Sequence, residues 1–297
     1  MTASAGIVVV GSINQDYFVY VDEFPGAGAT ILANDGASGL GGKGANQAIA
    51  ASLLGARVAF VGAVGGDAAG SGALAALEAD GVDVSGIRIL DASGTGAAYI
   101  TVNGAGENTI IVHSGANARV SAEQVLSLTG ADLVLAQGEL PADAVDAAAR
   151  AASSSGARFV LNLAPVIDVS PETLALADPL IVNEGEAAEL LGHTSTDLAG
   201  ELSARFGTSV VVTLGAEGAA VATPDRSWTE PSPRPVRVVD TTGAGDAFVG
   251  ALAAALAAGR DLEFAVRAGA AAGSHAVESA GTTTSYARGV SLEELVS

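Results

Sequence analysis

Apolar runs of strand length alternate with stretches of helical periodicity along most of this chain. Ile7 to Val10, Arg57 to Val64, Asp132 to Ala136, Arg158 to Leu163, Leu180 to Val182 and Ser209 to Leu214 read as buried strands. Between them, Ala45 to Leu54, Ala68 to Asp80, Ser121 to Leu128, Ala142 to Ala152, Glu186 to Leu191 and Leu198 to Phe206 carry helical spacing. Gly55 and Gly81 suit helix C-termini, and Ser121 with Gln124 has capping-box spacing. Strands that alternate with helices predict an α/β fold, a mainly parallel sheet covered by helices.

Two regions break the rhythm. Tyr17 to Val21 with Ile31 to Gly36, then Ala97 to Val102 with Asn108 to His113, read as short strands joined by Gly-rich turns with no helix between them. They predict a small accessory sheet inserted in the main domain. Tyr17 to Val21 is apolar on both faces, so this sheet needs cover from the main domain, a substrate or a second subunit. A homodimer through it is expected. Pro231 to Pro235 reads as a turn before a last strand, and an alanine-rich helix follows Phe248.

Composition narrows the partners. The 297 residues carry a net charge of −20, and the absence of cysteine excludes disulfides and thiolate chemistry. Nucleic acid is a poor partner for so acidic a chain, because phosphate backbones need clustered Lys and Arg. The opening MTASAGIVVVG has no basic region ahead of its apolar run, and the longest alanine-rich stretch, Ala247 to Gly259, is too short to cross a bilayer. A cytoplasmic protein without a membrane segment is expected. Of 13 basic residues the sole lysine is Lys43, where either chance or a need for a compact ammonium has excluded arginine.

Three segments carry candidate chemistry. In Val239 to Phe248 (VDTTGAGDAF), the small residues Gly243, Ala244 and Gly245 leave backbone N–H groups bare at a helix start, an anion hole suited to a transferring phosphoryl group. Asp246 in the first turn is placed to accept a hydroxyl proton; a plain helix cap with a stabilising first-turn carboxylate is the other reading. Gly41 to Ala48 (GGKGANQA) lets backbone approach a ligand, with Asn46 offering a donor and an acceptor. It is not a Walker loop, since Lys43 is followed by Gly44 and Ala37 stands where the first glycine is needed. Gly39 to Gly44 does match GxGxxG, which keeps a nicotinamide-dependent oxidoreductase as a remote alternative, although a polar stretch precedes it and no acid closes the next strand. Gly11 to Asp16 follows the first strand, where Asn14 and Asp16 can grip vicinal hydroxyls or form an ordinary Asx turn. His113, His193 and His275 have no metal-ligand spacing.

Taken in order and at these spacings, the segments resemble the ribokinase-like carbohydrate kinases. Gly41 to Gly65 fits the family's first signature and Asp240 to Ala253 its second. The likeness continues through Val102 to Gly104, Gly106 to Asn108, His113 to Asn117, Gln137 to Glu139, Asn183 to Glu186 and Thr213 to Gly218, nearly the whole chain. It implies a three-layer α/β sandwich over 1–297 as a single kinase domain, with lid strands inserted at about 15–38 and 96–113. It implies transfer from MgATP to a sugar, with D-ribose phosphorylated at O5 as the leading expectation; another pentose, deoxyribose or a nucleoside are the alternatives within the family, and a non-catalytic sugar sensor on the kinase fold is a further one.

By the same resemblance Asp246 is the base and Gly243, Ala244 and Gly245 the anion hole. Asn14, Asp16, Gly42, Lys43, Asn46 and Glu139 hold the sugar. Asn183, Thr213, Leu214, Gly215, Ala216, Glu217, Gly218, Gly245 and Ala270 meet the nucleotide. Glu186 orders Mg2+ through water. Asp240, Thr242, Ala276, Ser279, Gly281 and Ser285 supply oxygens to an activating K+, a set suited to a hard cation. Ala270 stands where the family often has His or Asn, and Leu163 interrupts its Asn-Pro-Ala-Pro run, leaving Asn162 and Pro165.

Overall fold

The computed structural model describes residues 6–126, 130–234 and 237–297. The strands are β1 (Ile7–Val10), β2 (Asn14–Tyr20), β3 (Asp35–Gly41), β4 (Val58–Gly65), β5 (Val82–Leu90), β6 (Gly96–Val102), β7 (Asn108–His113), β8 (Leu133–Gln137), β9 (Arg158–Asn162), β10 (Leu180–Asn183), β11 (Val210–Thr213), β12 (Ala219–Ala222) and β13 (Ser227–Glu230). The helices are α1 (Lys43–Leu53), α2 (Ala68–Ala79), α3 (Ala122–Leu126), α4 (Ala142–Ser155), α5 (Pro171–Leu176), α6 (Glu184–Leu191), α7 (Leu198–Phe206), α8 (Ala244–Ala257), α9 (Leu262–Ala276) and α10 (Leu292–Leu295).

Nine strands form the main sheet in the order β13-β12-β11-β10-β9-β8-β1-β4-β5, parallel except for the β11-β12-β13 edge. Alternate residues of β1 face opposite layers. Ile7 and Val9 join a core built with α1, α8 and α9, while Val8 and Val10 join another built with α4 and α7. This two-sided burial is why the central strands read as unbroken apolar runs. β1 lies between β8 and β4, so the strand order reverses at its carboxyl end and a crevice opens there.

The abundance of alanine finds its reason between α1 and α8. A Cβ on Gly250 would stand 2.4 Å from Ala50 Cβ and 2.7 Å from the Gln47 carbonyl, so α8 lies directly against α1. That close approach carries the first turn of α8 onto the first turn of α1.

The second sheet has the order β3-β2-β6-β7, with β2 and β6 parallel and the outer pairs antiparallel. The expected strand at Ile31 to Gly36 lies elsewhere: β3 runs from Asp35 to Gly41, and Ile31 and Leu32 stand in the exposed loop before it. Pairing along β2 overrides local β-propensity, because Asn14 through Tyr20 each find a partner in Asp35 to Gly41. GxGxxG therefore begins on a lid strand and ends in α1, not on a buried strand of the main sheet. No strand follows the proline-rich turn among the described residues; Val239 N–H instead donates to the Val277 carbonyl. Pro235 at the end of that turn, and Leu128 at the end of the expected third helix, lie outside the described residues. β5 and β13 are the sheet's edge strands, where weaker apolar patterning hid them, and β12 beside β13 is a four-residue run of Ala and Val.

Candidate active site

Asp246 sits in the first turn of α8, 8% exposed. Asn46 Nδ2 donates to its Oδ2 at 3.0 Å and Gln47 Nε2 to its Oδ1 at 2.9 Å. The donors are the fourth and fifth residues of α1, delivered by the α1–α8 contact. Gly243 caps α8 at φ 76°, and a Cβ there would strike Thr282 Cγ2 at 2.5 Å. Its carbonyl accepts from the Tyr286 hydroxyl at 3.2 Å.

This helix start separates two cavities. One, of about 700 Å³, is lined by Thr213, Gly215, Ala216, Glu217 and Gly218, by Asn183, by Ala244 and Gly245, and by Ala270. The other, of about 790 Å³, is lined by Asn14, Asp16, Gly42, Lys43, Asn46, Glu139, Glu186, Thr242, Gly243 and Asp246, and is roofed by Ala98, Ile100, Ile110 and Val112 of the accessory sheet. The structure thus assembles the expected acceptor set around one cavity and nearly all of the expected nucleotide set around the other. Leu214 is the exception: its side chain packs into the α4/α7 core, because successive residues leaving β11 point to opposite sides.

The acceptor cavity is short of donors. Asp16 Oδ1 and Asn46 Oδ1 are buried without a hydrogen-bond partner, which is costly unless a ligand supplies one. Burial, followed by the charges of Glu139 and Asp246, pushes the Asp16 carboxyl up to about 6. Asp246 holds the Lys43 ammonium above its usual range against burial, with Glu139 and Glu186 adding to the effect. Glu139 Oε2 accepts from the Ser12 hydroxyl and from Lys43 N–H at 3.0 Å, so this carboxylate also anchors the start of α1.

Asn183 and Glu186 form a reciprocal capping box at α6. Burial pushes the Glu186 carboxyl up, partly offset by the Asn183 N–H and by Lys43. An acidic side chain on the acceptor cavity, three residues after Asn183 on the other, fits a hydrated divalent cation. At the other flank, burial pushes the Asp240 carboxyl up, but N–H groups of Gly281 at 3.0 Å and Thr242 at 2.9 Å outweigh it and leave the carboxyl below its usual range. The same bonds tie Thr242 to the loop that carries Ser279, Gly281 and Ser285 and follows Ala276, the last residue of α9. An ionised carboxylate amid hydroxyl and carbonyl oxygens fits a monovalent cation. Ser285 hydroxyl donates to the Thr282 carbonyl at 2.7 Å and so leaves its own lone pairs available. His193 pairs with Glu201, and among the described residues no group of three His, Cys, Asp or Glu side chains is arranged to hold a metal.

Sequence reasoning passed over a buried chain of amides behind Asp246. Gln137 Nε2 donates to Gln47 Oε1 at 2.9 Å, Gln47 Nε2 donates to Asn162 Oδ1 at 2.8 Å, and Asn162 Nδ2 donates to the Ile181 carbonyl at 3.1 Å. The available signal was a polar pair, Asn46 and Gln47, in a helix rich in alanine and buried through most of its length.

A parallel sheet sandwiched by helices, an accessory sheet over one cavity and the start of α8 between that cavity and a second suit a phosphotransferase acting on an alcohol. The chain belongs to the family described as pfkB family carbohydrate kinase, whose model matches residues 4–288, and within it to the ribokinase type. The ribokinase of Bacillus subtilis is 36% identical over 98% of this chain and 99% of its own length. A bifunctional ribokinase/ribose-5-phosphate isomerase A from Fructilactobacillus sanfranciscensis is 39% identical over 84% of this chain, which spans 48% of that longer protein. Among solved structures, Arabidopsis thaliana ribokinase complexed with ribose and ATP superposes with a TM-score of 0.90 at 32% identity, covering 99% of both chains.

Proposed function

We propose that this enzyme transfers the γ-phosphoryl group of MgATP to O5 of D-ribose. The observation that carries the reading is the position of Asp246, at the helix start where the two cavities meet. The relatives' activities and the ribose and ATP bound by the Arabidopsis enzyme support the choice of substrates.

Ribose fills the cavity under the accessory sheet, its hydroxyls donating to the unpartnered oxygens of Asp16 and Asn46, with Asn14, Gly42, Lys43 and Glu139 completing the pocket. The nucleotide lies along Thr213 to Gly218, with Asn183 and Ala270 beside it. The O5 proton passes to Asp246 as O5 attacks the γ-phosphorus and the bond to ADP breaks. Negative charge gathering on the phosphoryl oxygens is met by the N–H groups of Gly243 and Gly245, by that of Ala244 once it leaves the Thr241 carbonyl it meets at 3.3 Å, and by the Lys43 ammonium. Glu186 would hold Mg2+ through water, where it would offset phosphate charge, and the oxygens of Asp240, Thr242, Ala276, Ser279, Gly281 and Ser285 would hold K+, which would add a positive field at the anion hole. Ile100, Ile110 and Val112 keep water from competing with O5.

The chain reads as one kinase domain, 1–297, that dimerises through its lid. On the face away from the cavity, cross-strand pairing aligns Tyr17, Tyr99 and Ile111 in one row, and Ile111 is 71% exposed. The Tyr17 and Tyr99 rings stack 5.4 Å apart. A second copy covering this row accounts for an apolar surface that water would otherwise meet. Ile111→Lys should shift the mass measured by light scattering from dimer to monomer.

The deciding experiment is ATP turnover across ribose, 2-deoxyribose, other pentoses, hexoses and nucleosides, with and without potassium, beside Asp246→Asn. Ribose should give the highest kcat/KM, potassium should raise it, and Asp246→Asn should abolish turnover while ribose still binds. A better non-ribose substrate would overturn the substrate, and near-normal turnover in Asp246→Asn would overturn the mechanism.

A further inference from the structure

Gln47 is fully buried, yet it lines neither cavity. Its amide is used completely: one hydrogen goes to Asp246 Oδ1, the other to Asn162 Oδ1, and its oxygen accepts from Gln137. The polarity of this chain is dictated at its far end by backbone. The Ile181 carbonyl, on β10, can only accept, so it turns the Asn162 nitrogen toward itself and the Asn162 oxygen toward Gln47. Gln47 must then present its nitrogen to both Asn162 and Asp246, and its oxygen to the Gln137 nitrogen. Each amide has one permitted orientation. The main sheet thereby dictates which group of Gln47 meets the carboxylate.

Asn46 grips the other oxygen, so the two donors together hold the carboxylate plane. Asn46, however, faces the acceptor cavity and is free to respond to a ligand, whereas Gln47 is shielded from it. A proton acceptor is effective only when its lone pair is aimed at the proton, and a rotated carboxylate forfeits rate even where substrate binds normally.

We propose that Gln47, oriented by Asn162 and Gln137, is the positioning residue that aims the Asp246 carboxylate at the acceptor hydroxyl. The proposal rests on Asp246 being the base. It assigns to the buried amides a share of kcat and none of the sugar affinity.

The test compares Gln47→Met, Gln137→Met, their double variant and Asp246→Asn. Methionine keeps length and flexibility while removing the donors. For each, kcat is measured per folded molecule, KM is measured for ribose and ATP, and ribose binding is followed by calorimetry. Gln47→Met should lower kcat about 10- to 100-fold, the usual worth of a hydrogen bond to a charged group, with ribose affinity within about twofold of the parent. Gln137→Met should lower kcat less, and the double variant should match Gln47→Met, because the two act along one path.

Gln47→Met with parental kcat overturns the proposal, as does a variant that loses ribose affinity while keeping kcat. A double variant whose losses multiply in full overturns the ordering of the chain. Should Gln47→Met fail to fold, Gln137→Met decides: it leaves both Gln47 donors in place, so parental kcat there refutes orientation through the chain. If Asp246→Asn keeps turnover, the proposed base is wrong; if it loses turnover while Gln47→Met does not, only the positioning role falls.

Discussion

Lowering the pH from 8 to 5 should loosen ribose binding through one group, Asp16. Its carboxyl is raised to about 6 by burial and by its two acidic neighbours, Glu139 and Asp246. Only the ionised form offers acceptors on both oxygens to sugar hydroxyls. At pH 5 roughly one Asp16 in eleven is ionised, so the ribose Kd should be about tenfold weaker than at pH 8. Calorimetry without nucleotide gives Kd directly, and repeating it in buffers of different ionisation enthalpy counts the proton that binding should expel at pH 5. Asp16→Asn should bind ribose weakly at every pH and lose the slope. A flat Kd from pH 8 to 5, or a slope that survives in Asp16→Asn, refutes the reasoning. Stability supplies an independent check. The folded value lies above the ordinary 3.8, so the folded chain binds this proton more tightly than the unfolded one. The penalty is fully present above about pH 6, shrinks as pH falls through 6 and is gone below about 4, and its ceiling is about 3 kcal/mol. Ligand-free Asp16→Asn should therefore melt above the parent at pH 8 and level with it near pH 4.

Three further outcomes follow from contacts at the site. A Cβ on Gly41 would lie 2.1 Å from the Asp16 carboxylate, so Gly41→Ala should raise the ribose KM on the order of tenfold and leave the ATP KM unchanged; equal effects on both would contradict the assignment of the cavities. Gly250→Ala should push α8 off α1, costing about 1–3 kcal/mol in thermal unfolding and lowering kcat along with it, whereas lost stability at full kcat would uncouple that contact from Asp246. Because Lys43 is the sole lysine, an amine reagent followed by peptide mass spectrometry reads it without interference. Burial and its carboxylate neighbours should make Lys43 react at least about tenfold more slowly than the N-terminal amine, and saturating ribose should slow it further; labelling indifferent to ribose would remove Lys43 from the acceptor cavity.

Much of this protein was decided locally. Central strands such as Ile7–Val10 are apolar on both faces, so their place inside a parallel sheet was legible from composition alone. The small residues at the start of α8 were legible too, but not that the Ala244 N–H would be taken by the Thr241 carbonyl at 3.3 Å, since that bond depends on how the preceding turn folds. The lid's β3 was not: Asp35 to Gly41 is nearly devoid of β-formers and becomes a strand only because β2 pairs with it residue by residue. The same pairing sets Gly41 opposite Asn14 and so within reach of the Asp16 carboxylate two residues on, a contact that local sequence does not encode. Tertiary structure alone made Asp246 more than a capping carboxylate. Close packing at Gly250 brings Asn46 and Gln47, about 200 positions earlier, onto its two oxygens. A backbone carbonyl on β10, reached through Asn162, then decides how Gln47 faces it. Such long-range hydrogen bonds depend on where helices dock, and docking follows from the shape of the whole core, whereas strand and cap signals depend on neighbours a few residues away.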